Sequence, residues 1–149
     1  MHTIQRHLPT AARLFMGLVF TVFGLNFFLH FLPMPAPAPR AGAFFGALYA
    51  SGYLLPLLKA TEVAAGLLLL TGRFVPLTLA VLAPILINIL GFHLFHAPSG
   101  VPLPAALLAA ELYLAWSYRD AFAPMLHART AVTRRHLPAE PVESIRAAA

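Results

Sequence analysis

The stretch from Leu54 to Gly72, LLPLLKATEVAAGLLLLTG, decides how this chain folds. It is apolar enough to cross a bilayer, which takes about 20 residues of helix. Its first half nevertheless carries Lys59 and Glu62, which lie about one helical turn apart. Ionisable groups at membrane depth are costly and usually face a bundle interior or a water-filled cavity. The rest of the chain must therefore supply surroundings that tolerate this pair.

Composition places the 149 residues among integral membrane proteins. Hydrophobic residues make up 60% of the chain and charged residues only 10%, with a mean hydropathy of +0.78. A soluble domain cannot hide so much apolar surface, and the length predicts one domain. No cysteine is present, which excludes disulfides, a CxxC redox pair, thiolate metal ligation and a cysteine nucleophile. The basic residues that produce the net charge of +5 lie beside apolar spans. They therefore indicate lipid headgroups rather than nucleic acid as the partner.

Apolar runs predict an all-α integral membrane protein with four transmembrane helices in an antiparallel bundle. The spans are expected at residues 12–32, 54–72, 75–95 and 103–122. The alternating prolines of residues 33–40 exclude a helix. Residues 41–51 predict a helix too short to span, either interfacial or re-entrant. Residues 1–10 are expected to be a polar cytoplasmic lead and residues 123–149 a mobile cytoplasmic tail.

Basic residues predict the orientation of the bundle. With four spans, both termini lie on one side of the membrane, and the opposite side carries only Arg40. The side of the termini carries the remaining arginines: Arg6, Arg13, Arg73, Arg119, Arg129, Arg134, Arg135 and Arg146. Cytoplasmic loops are enriched in arginine and lysine. The bias therefore predicts that both termini are cytoplasmic.

Each predicted span carries one strong polar group at a similar depth. Counted at about 1.5 Å per residue, these groups lie roughly 9–12 Å below the non-cytoplasmic surface: Asn26, Glu62, Asn88 and Glu111. We hypothesise that they form a polar layer facing the bundle axis, with four further groups above it: His30, Lys59, His93 and His96. Two interpretations stay open. Such groups bind a ligand or handle protons, or they only form hydrogen bonds between helices and fix the packing.

Finer interpretations of these residues also stay open. Lys59 and Glu62 can neutralise each other on one helix face, whereas two carboxylates at one depth can share a proton. His93 and His96 have the spacing of two ligands of one metal ion, and His30 can add a third ligand or an axial haem ligand. The competing interpretation is that these histidines are interfacial anchors beside phenylalanines.

Three segments resemble the DoxX family of small bacterial four-helix membrane proteins: RLFMGLVFTVFGLNFF (residues 13–28), ASGYLLPLLKATEVAAGLLLLTGRFVPL (residues 50–77) and INILGFHLF (residues 87–95). The likeness covers about residues 11–122. Its marks are the G-x-N that ends span one, the G-Y before span two, the E-x-x-x-G within span two and the N-x-x-x-x-H of span three. These marks single out four of the candidate residues: Asn26, Glu62, Asn88 and His93.

The resemblance implies a four-helix bundle in the bacterial cytoplasmic (inner) membrane, associated with redox systems. Relatives are described as subunits of quinol oxidase or thiosulfate:quinone oxidoreductase, and as partners of oxidative-stress enzymes. This implies an accessory or quinone-interacting subunit of a membrane redox system, rather than a stand-alone enzyme, with an oligomer as an open option. Quinone is the cofactor it suggests, while haem and a metal ion stay open. The alternatives are a small-solute or lipid carrier with an outward-facing pocket, and a purely structural assembly partner.

Overall fold

The structure, a computed structural model, describes residues 2–128, with side chains from His7 onward. Every regular element in that part is helical, as predicted. The α-helices are α1 (His2–Leu29), α2 (Pro39–Ala50), α3 (Leu54–Thr71), α4 (Val75–His96), α5 (Pro102–Ser117) and α6 (Arg119–Phe122). Short 3₁₀ turns follow α4 and α6, at Pro98–Gly100 and Ala123–Leu126.

Three helices are long and apolar enough to cross a membrane: His7–Leu29 of α1, and the whole of α3 and α4. The fold is therefore that of a multi-pass membrane protein. α5 differs, because its 16 residues give only about 24 Å of helix. The expectation of one continuous helix over residues 103–122 is wrong. The chain leaves helical geometry at Tyr118 (φ −103°, ψ 16°) before α6 begins.

Two expectations at helix starts also need correction. The lead expected at residues 1–10 is helical from His2, and Pro9 lies inside α1, where it removes one backbone hydrogen bond without ending the helix. α2 begins at Pro39, inside the segment from which a helix was excluded. A proline at the first helical position gives up no internal hydrogen bond, which makes it a good helix start. Most of the expected tail, residues 129–149, lies outside the described residues.

Small residues bring α1 and α3, the most extensively packed pair, close together. A Cβ atom added to Gly24 would lie 2.6 Å from Val63 Cγ2, and one added to Gly66 would collide with the Thr21 hydroxyl. Gly17 lies in the same contact, since its added Cβ would be 3.0 Å from the carbonyl oxygen of Gly66. Glycines of this kind let membrane helices pack by close backbone approach.

The remaining helices complete the bundle around an apolar core. α5 packs against α1 and α4, and α4 also packs against α3. The fully buried side chains between them include Met16, Leu69, Leu82, Leu86 and Leu114. α2 rests on α3 and α4. Its rings contact the last turns of α4, so α2 lies at the end of the bundle where α4 ends.

The C-terminal end of α3 is closed by Arg13 of α1. The Arg13 Nη1 donates hydrogen bonds to the carbonyl of Leu69 and, at 3.1 Å, to that of Leu70. Gly72 follows in the left-handed conformation (φ 71°), where glycine pays no steric penalty. The carbonyls of Leu69 and Leu70 are thus satisfied, and the guanidinium charge complements the negative end of the helix dipole.

Candidate functional site

Asn26 is buried, but its amide bonds to the backbone that follows α1. Asn26 Oδ1 accepts a hydrogen bond from the Leu32 N–H at 2.6 Å, and Asn26 Nδ2 donates to the Leu32 carbonyl at 3.3 Å. The chain can turn back toward Asn26 after the end of α1 because His30 adopts a left-handed φ of 52°. Asn26 therefore fixes the exit from α1.

Lys59 and Glu62 of α3 pair with each other. The Lys59 Nζ lies 2.8 Å from Glu62 Oε2. Glu62 is only 2% exposed, and its other carboxylate oxygen, Oε1, has no hydrogen-bond partner among the described residues. The Lys59 side chain is 21% exposed. The pair therefore extends from a partly open position into the bundle interior.

Glu111 of α5 is the second buried carboxylate. It is 4% exposed and shares a buried helix face with Leu107 and Leu114. Its Oε2 lacks a hydrogen-bond partner within the part of the chain that is described, and so does Thr21 Oγ1 on α1. Three helices thus each bury an oxygen atom that makes no hydrogen bond there: Thr21 of α1, Glu62 of α3 and Glu111 of α5.

Asn88 does not join these interior groups. Its side chain is exposed, and its Nδ2 donates at 2.9 Å to the Pro84 carbonyl, one turn earlier on α4. The expectation that Asn88 faces the bundle axis is therefore wrong. The reason is rotation about the helix axis. α4 buries Leu82 and Leu86, and Asn88 follows Leu86 by two residues, which is about 200° around the helix.

Asn88 instead faces an open groove of about 170 Å³ between α2 and α4, called the α2–α4 groove below. The ring of Phe44 stacks on the His96 imidazole, with centroids 5.4 Å apart and planes inclined by 24°. Phe45 and Phe92 also meet, with centroids 4.9 Å apart. His96 Nδ1 has no hydrogen-bond partner among the described residues. The groove thus combines flat ring faces with two polar side chains.

The three histidines do not assemble into a metal-ligand set. Within residues 7–128, no three His, Asp or Glu side chains are grouped so that they could hold a metal ion. The Nδ1–H of His93 donates to the Ile89 carbonyl at 2.8 Å, and its ring lies against the backbone of Gly100. His96 is stacked in the α2–α4 groove, and His30 is exposed where α1 ends.

Sequence reasoning missed the contribution of α2 to the groove. Phe44, which lines the groove, lies in a helix predicted to be interfacial or re-entrant, and it was not a candidate site residue. A usable signal was present on α4, where Phe95 and His96 follow Phe92 by three and four residues and so lie on the same side of the helix as Phe92. An aromatic face of this kind indicates a packing partner, but it does not say which helix provides it.

Comparison with protein-family models, curated proteins and solved structures gives no match. The class of the protein therefore follows from the fold itself, a multi-pass membrane protein with three helices able to span the membrane. It has two separate polar regions. One lies in the bundle interior, where Thr21, Glu62 and Glu111 are buried and the partly exposed Lys59 pairs with Glu62. The other is the α2–α4 groove with Asn88 and His96.

Proposed function

We propose that this chain is a DoxX-like accessory subunit of a membrane redox system and that it binds a quinone headgroup in the α2–α4 groove. The observation that carries the proposal is the groove lining, in which the rings of Phe44 and Phe92 lie beside His96 and Asn88. A quinone headgroup is a flat ring with carbonyl oxygens on opposite edges. It needs ring faces for stacking and hydrogen-bond donors at its rim.

Both polar side chains of the groove, His96 and Asn88, have an N–H group that can donate a hydrogen bond to a ligand. His96 Nδ1 is buried and makes no hydrogen bond within the described residues, so Nε2 is the ring nitrogen assigned to donate to a ligand, in the neutral tautomer that carries its proton there. Asn88 Nδ2 uses one N–H on the Pro84 carbonyl, and a side-chain amide has two. The second N–H is available to a ligand. One quinone carbonyl is thus assigned to each side chain.

The surroundings of the groove favour a lipid-soluble ligand over a small polar solute. Ile87 and Phe95 border the groove and are 62% and 75% exposed. In a membrane, such side chains contact lipid tails rather than water. A quinone can therefore enter sideways from the bilayer without crossing a polar barrier. This supports quinone binding over the small-solute carrier.

We also propose that α5 is the fourth span of an antiparallel bundle in the bacterial inner membrane, with cytoplasmic termini. The short links at residues 72–74 and 97–101 are typical of antiparallel neighbours, and the arginine bias supports the orientation. α5 is shorter than the hydrocarbon core of about 30 Å, a mismatch that local thinning of the bilayer accommodates. Trp116, with Arg119 5.3 Å above its ring, suits the membrane interface. The α2–α4 groove then lies in the non-cytoplasmic half.

Photolabelling tests the quinone site directly. The full chain is placed in lipid nanodiscs, irradiated with a photoreactive azidoquinone and mapped by mass spectrometry. We expect saturable labelling within residues 39–50 and 87–96, suppressed by excess unlabelled quinone. Phe44→Ala and His96→Ala are expected to weaken labelling because they remove the stacked pair.

Phe23→Ala is the matched control, because Phe23 of α1 is exposed to nearly the same extent as Phe44, 38% against 41%, and does not line the groove. It is expected to leave labelling unchanged. Labelling that does not saturate, or that falls equally in Phe23→Ala, would refute the quinone site. Copurification of a redox enzyme with the chain from native membranes tests the accessory role separately. If neither quinone nor such an enzyme is found, the structural assembly partner is the better description.

A further inference from the structure

The buried side chains of the bundle carry an unbalanced negative charge. Within residues 7–128, the buried ionisable residues are Glu62 and Glu111, which are 2% and 4% exposed. Lys59 bonds to one oxygen of Glu62 at 2.8 Å and neutralises that carboxylate. The ion pairs among the described residues do not include Glu111. The two buried carboxyl groups, Glu62 and Glu111, thus have only one partly buried counter-charge among the described residues, Lys59.

A carboxylate without a counter-charge is not stable in such a place. Transferring an ionised carboxylate from water into a protein interior costs several kcal/mol even after the surroundings relax, which is a large share of the total stability of a typical domain. Buried charges in proteins are accordingly paired, bound to a metal ion or neutralised. The Glu111 carboxylate therefore requires one positive charge from elsewhere.

The other charged groups on the neighbouring helices are engaged elsewhere. α5 packs against α1 and α4. On α1, Arg13 donates to the carbonyls at the end of α3. On α4, His93 donates to a carbonyl of its own helix, and His96 lies in the α2–α4 groove. The remaining titratable groups on α1 and α5 with described side chains are exposed or only partly buried: His7, His30, Tyr113 and Tyr118.

The interior also contains oxygen atoms suited to a small cation. Glu62 Oε1, Glu111 Oε2 and Thr21 Oγ1 are buried and make no hydrogen bond among the described residues. Thr21 lies on α1, which packs against both α3 and α5, the helices that carry the two carboxylates. Carboxylate and hydroxyl oxygens are ligands that hard cations prefer, and two carboxylates can also share a proton.

We propose that the bundle interior binds one small cation of charge +1, a proton or Na⁺, at the Glu111 carboxylate. The site is separate from the α2–α4 groove and does not depend on quinone binding. A cation that binds only the folded protein raises its stability by mass action. The folded chain is therefore expected to respond to pH or to Na⁺ through Glu111.

Thermal unfolding of the full chain in detergent tests this site. Melting temperatures are measured across a pH series in sodium chloride and in choline chloride, for the wild type, Glu111→Gln and Asp120→Asn. Asp120 is the control because its side chain is 97% exposed. A Na⁺-dependent rise in the wild type that Glu111→Gln loses and Asp120→Asn keeps identifies Na⁺. A pH-dependent shift without Na⁺ dependence, again lost only in Glu111→Gln, identifies a proton. Identical profiles for the wild type and Glu111→Gln would overturn the proposal.

A second measurement uses only the wild-type chain, in case Glu111→Gln does not fold. Dicyclohexylcarbodiimide modifies carboxyl groups in apolar surroundings, and the modified residue is found by mass spectrometry. We expect Glu111 to be modified, and the modification to slow with rising Na⁺ or rising pH, because a bound Na⁺ or a lost proton blocks the reaction. Modification of Glu111 that is unaffected by either change, or no modification of Glu111, would count against the site.

Discussion

The side-chain amide of Asn26 makes both of its hydrogen bonds to one residue, Leu32. Asn26 Oδ1 accepts from the Leu32 N–H at 2.6 Å, and Asn26 Nδ2 donates to the Leu32 carbonyl at 3.3 Å. The two bonds close the chain directly after α1. Asn26 thus stabilises a backbone reversal, whereas Asn88, its counterpart in the predicted polar layer, bonds only to a carbonyl of its own helix.

Replacing Asn26 is therefore expected to destabilise the fold. Asn26→Ala should lower the free energy of unfolding by about 1–2 kcal/mol, because the polar backbone atoms of Leu32 lose their partner. Unfolding in detergent, followed by circular dichroism, measures the change. Asn88→Ala is the control and should change stability by less than about 0.5 kcal/mol, as exposed substitutions usually do. A larger loss in Asn88→Ala than in Asn26→Ala would contradict this assignment.

Two glycine substitutions are expected to have opposite effects on stability, because Gly66 lies in the contact between α1 and α3 whereas Gly46 lies in open space on α2. Gly66→Ala should destabilise the chain by about 1–3 kcal/mol, the usual cost of overpacking, because its Cβ would meet Thr21 and lie 2.9 Å from the Gly17 carbonyl oxygen. Gly46 of α2 has open space around its added Cβ. Gly46→Ala should therefore stabilise α2, by up to about 1 kcal/mol from helix propensity alone. Equal effects of the two substitutions on the melting temperature would show that the close approach is not a constraint.

Much of the fold follows from apolar runs and helix-breaking residues, because these act locally. Gly72 and the prolines near residues 33–39 separate the apolar segments, and α3 begins at the expected residue, Leu54. The break at Tyr118 was not predictable in this way, because no proline or glycine marks it. Propensity is a weak guide to where one helix ends and a short one begins.

The candidate site was harder to predict because depth and rotation are separate quantities. Counting residues along the spans gives depth, and Glu62 and Glu111, at similar distances from the starts of α3 and α5, are both buried. Depth does not say which way a side chain points. α4 is apolar around most of its circumference, so periodicity could not orient it, and Asn88 lies on the exposed side. The role of Asn26 depends on the left-handed backbone at His30, which no sequence pattern marked.

Arg13 is expected to stabilise the end of α3. Arg13→Met should cost about 1–3 kcal/mol, because the carbonyls of Leu69 and Leu70 lose a charged donor. Arg13→Lys should recover part of the loss, since lysine keeps the charge but not the planar geometry. Melting temperatures in detergent measure both. Arg119→Met is the control, since Arg119 is exposed and its contacts are with the neighbouring residues Trp116 and Asp120 rather than with another helix end. A loss in Arg119→Met as large as that in Arg13→Met would refute a specific role for Arg13.

The left-handed backbone at His30 indicates a substitution that should raise stability. Its left-handed φ of 52° costs an L-residue roughly 1–2 kcal/mol, and glycine is free of that cost. The side chain is exposed, so His30→Gly should raise the melting temperature, whereas His30→Val should lower it because β-branched residues tolerate this conformation least. If His30→Gly were destabilising, the imidazole would have to make a contact that outweighs its backbone strain.

The Lys59–Glu62 pair predicts that two changes together are less harmful than one alone. Lys59→Met should destabilise the chain by about 3–5 kcal/mol, because it leaves the buried Glu62 carboxylate without its partner. Lys59→Met combined with Glu62→Gln removes both charges, and it should be distinctly more stable than Lys59→Met by itself. A double-mutant cycle from unfolding in detergent measures the coupling between the two residues, with Glu62→Gln as the second single variant. Simple additivity of the two single changes would show that the 2.8 Å contact contributes nothing to stability, and that Glu62 is neutralised by another group.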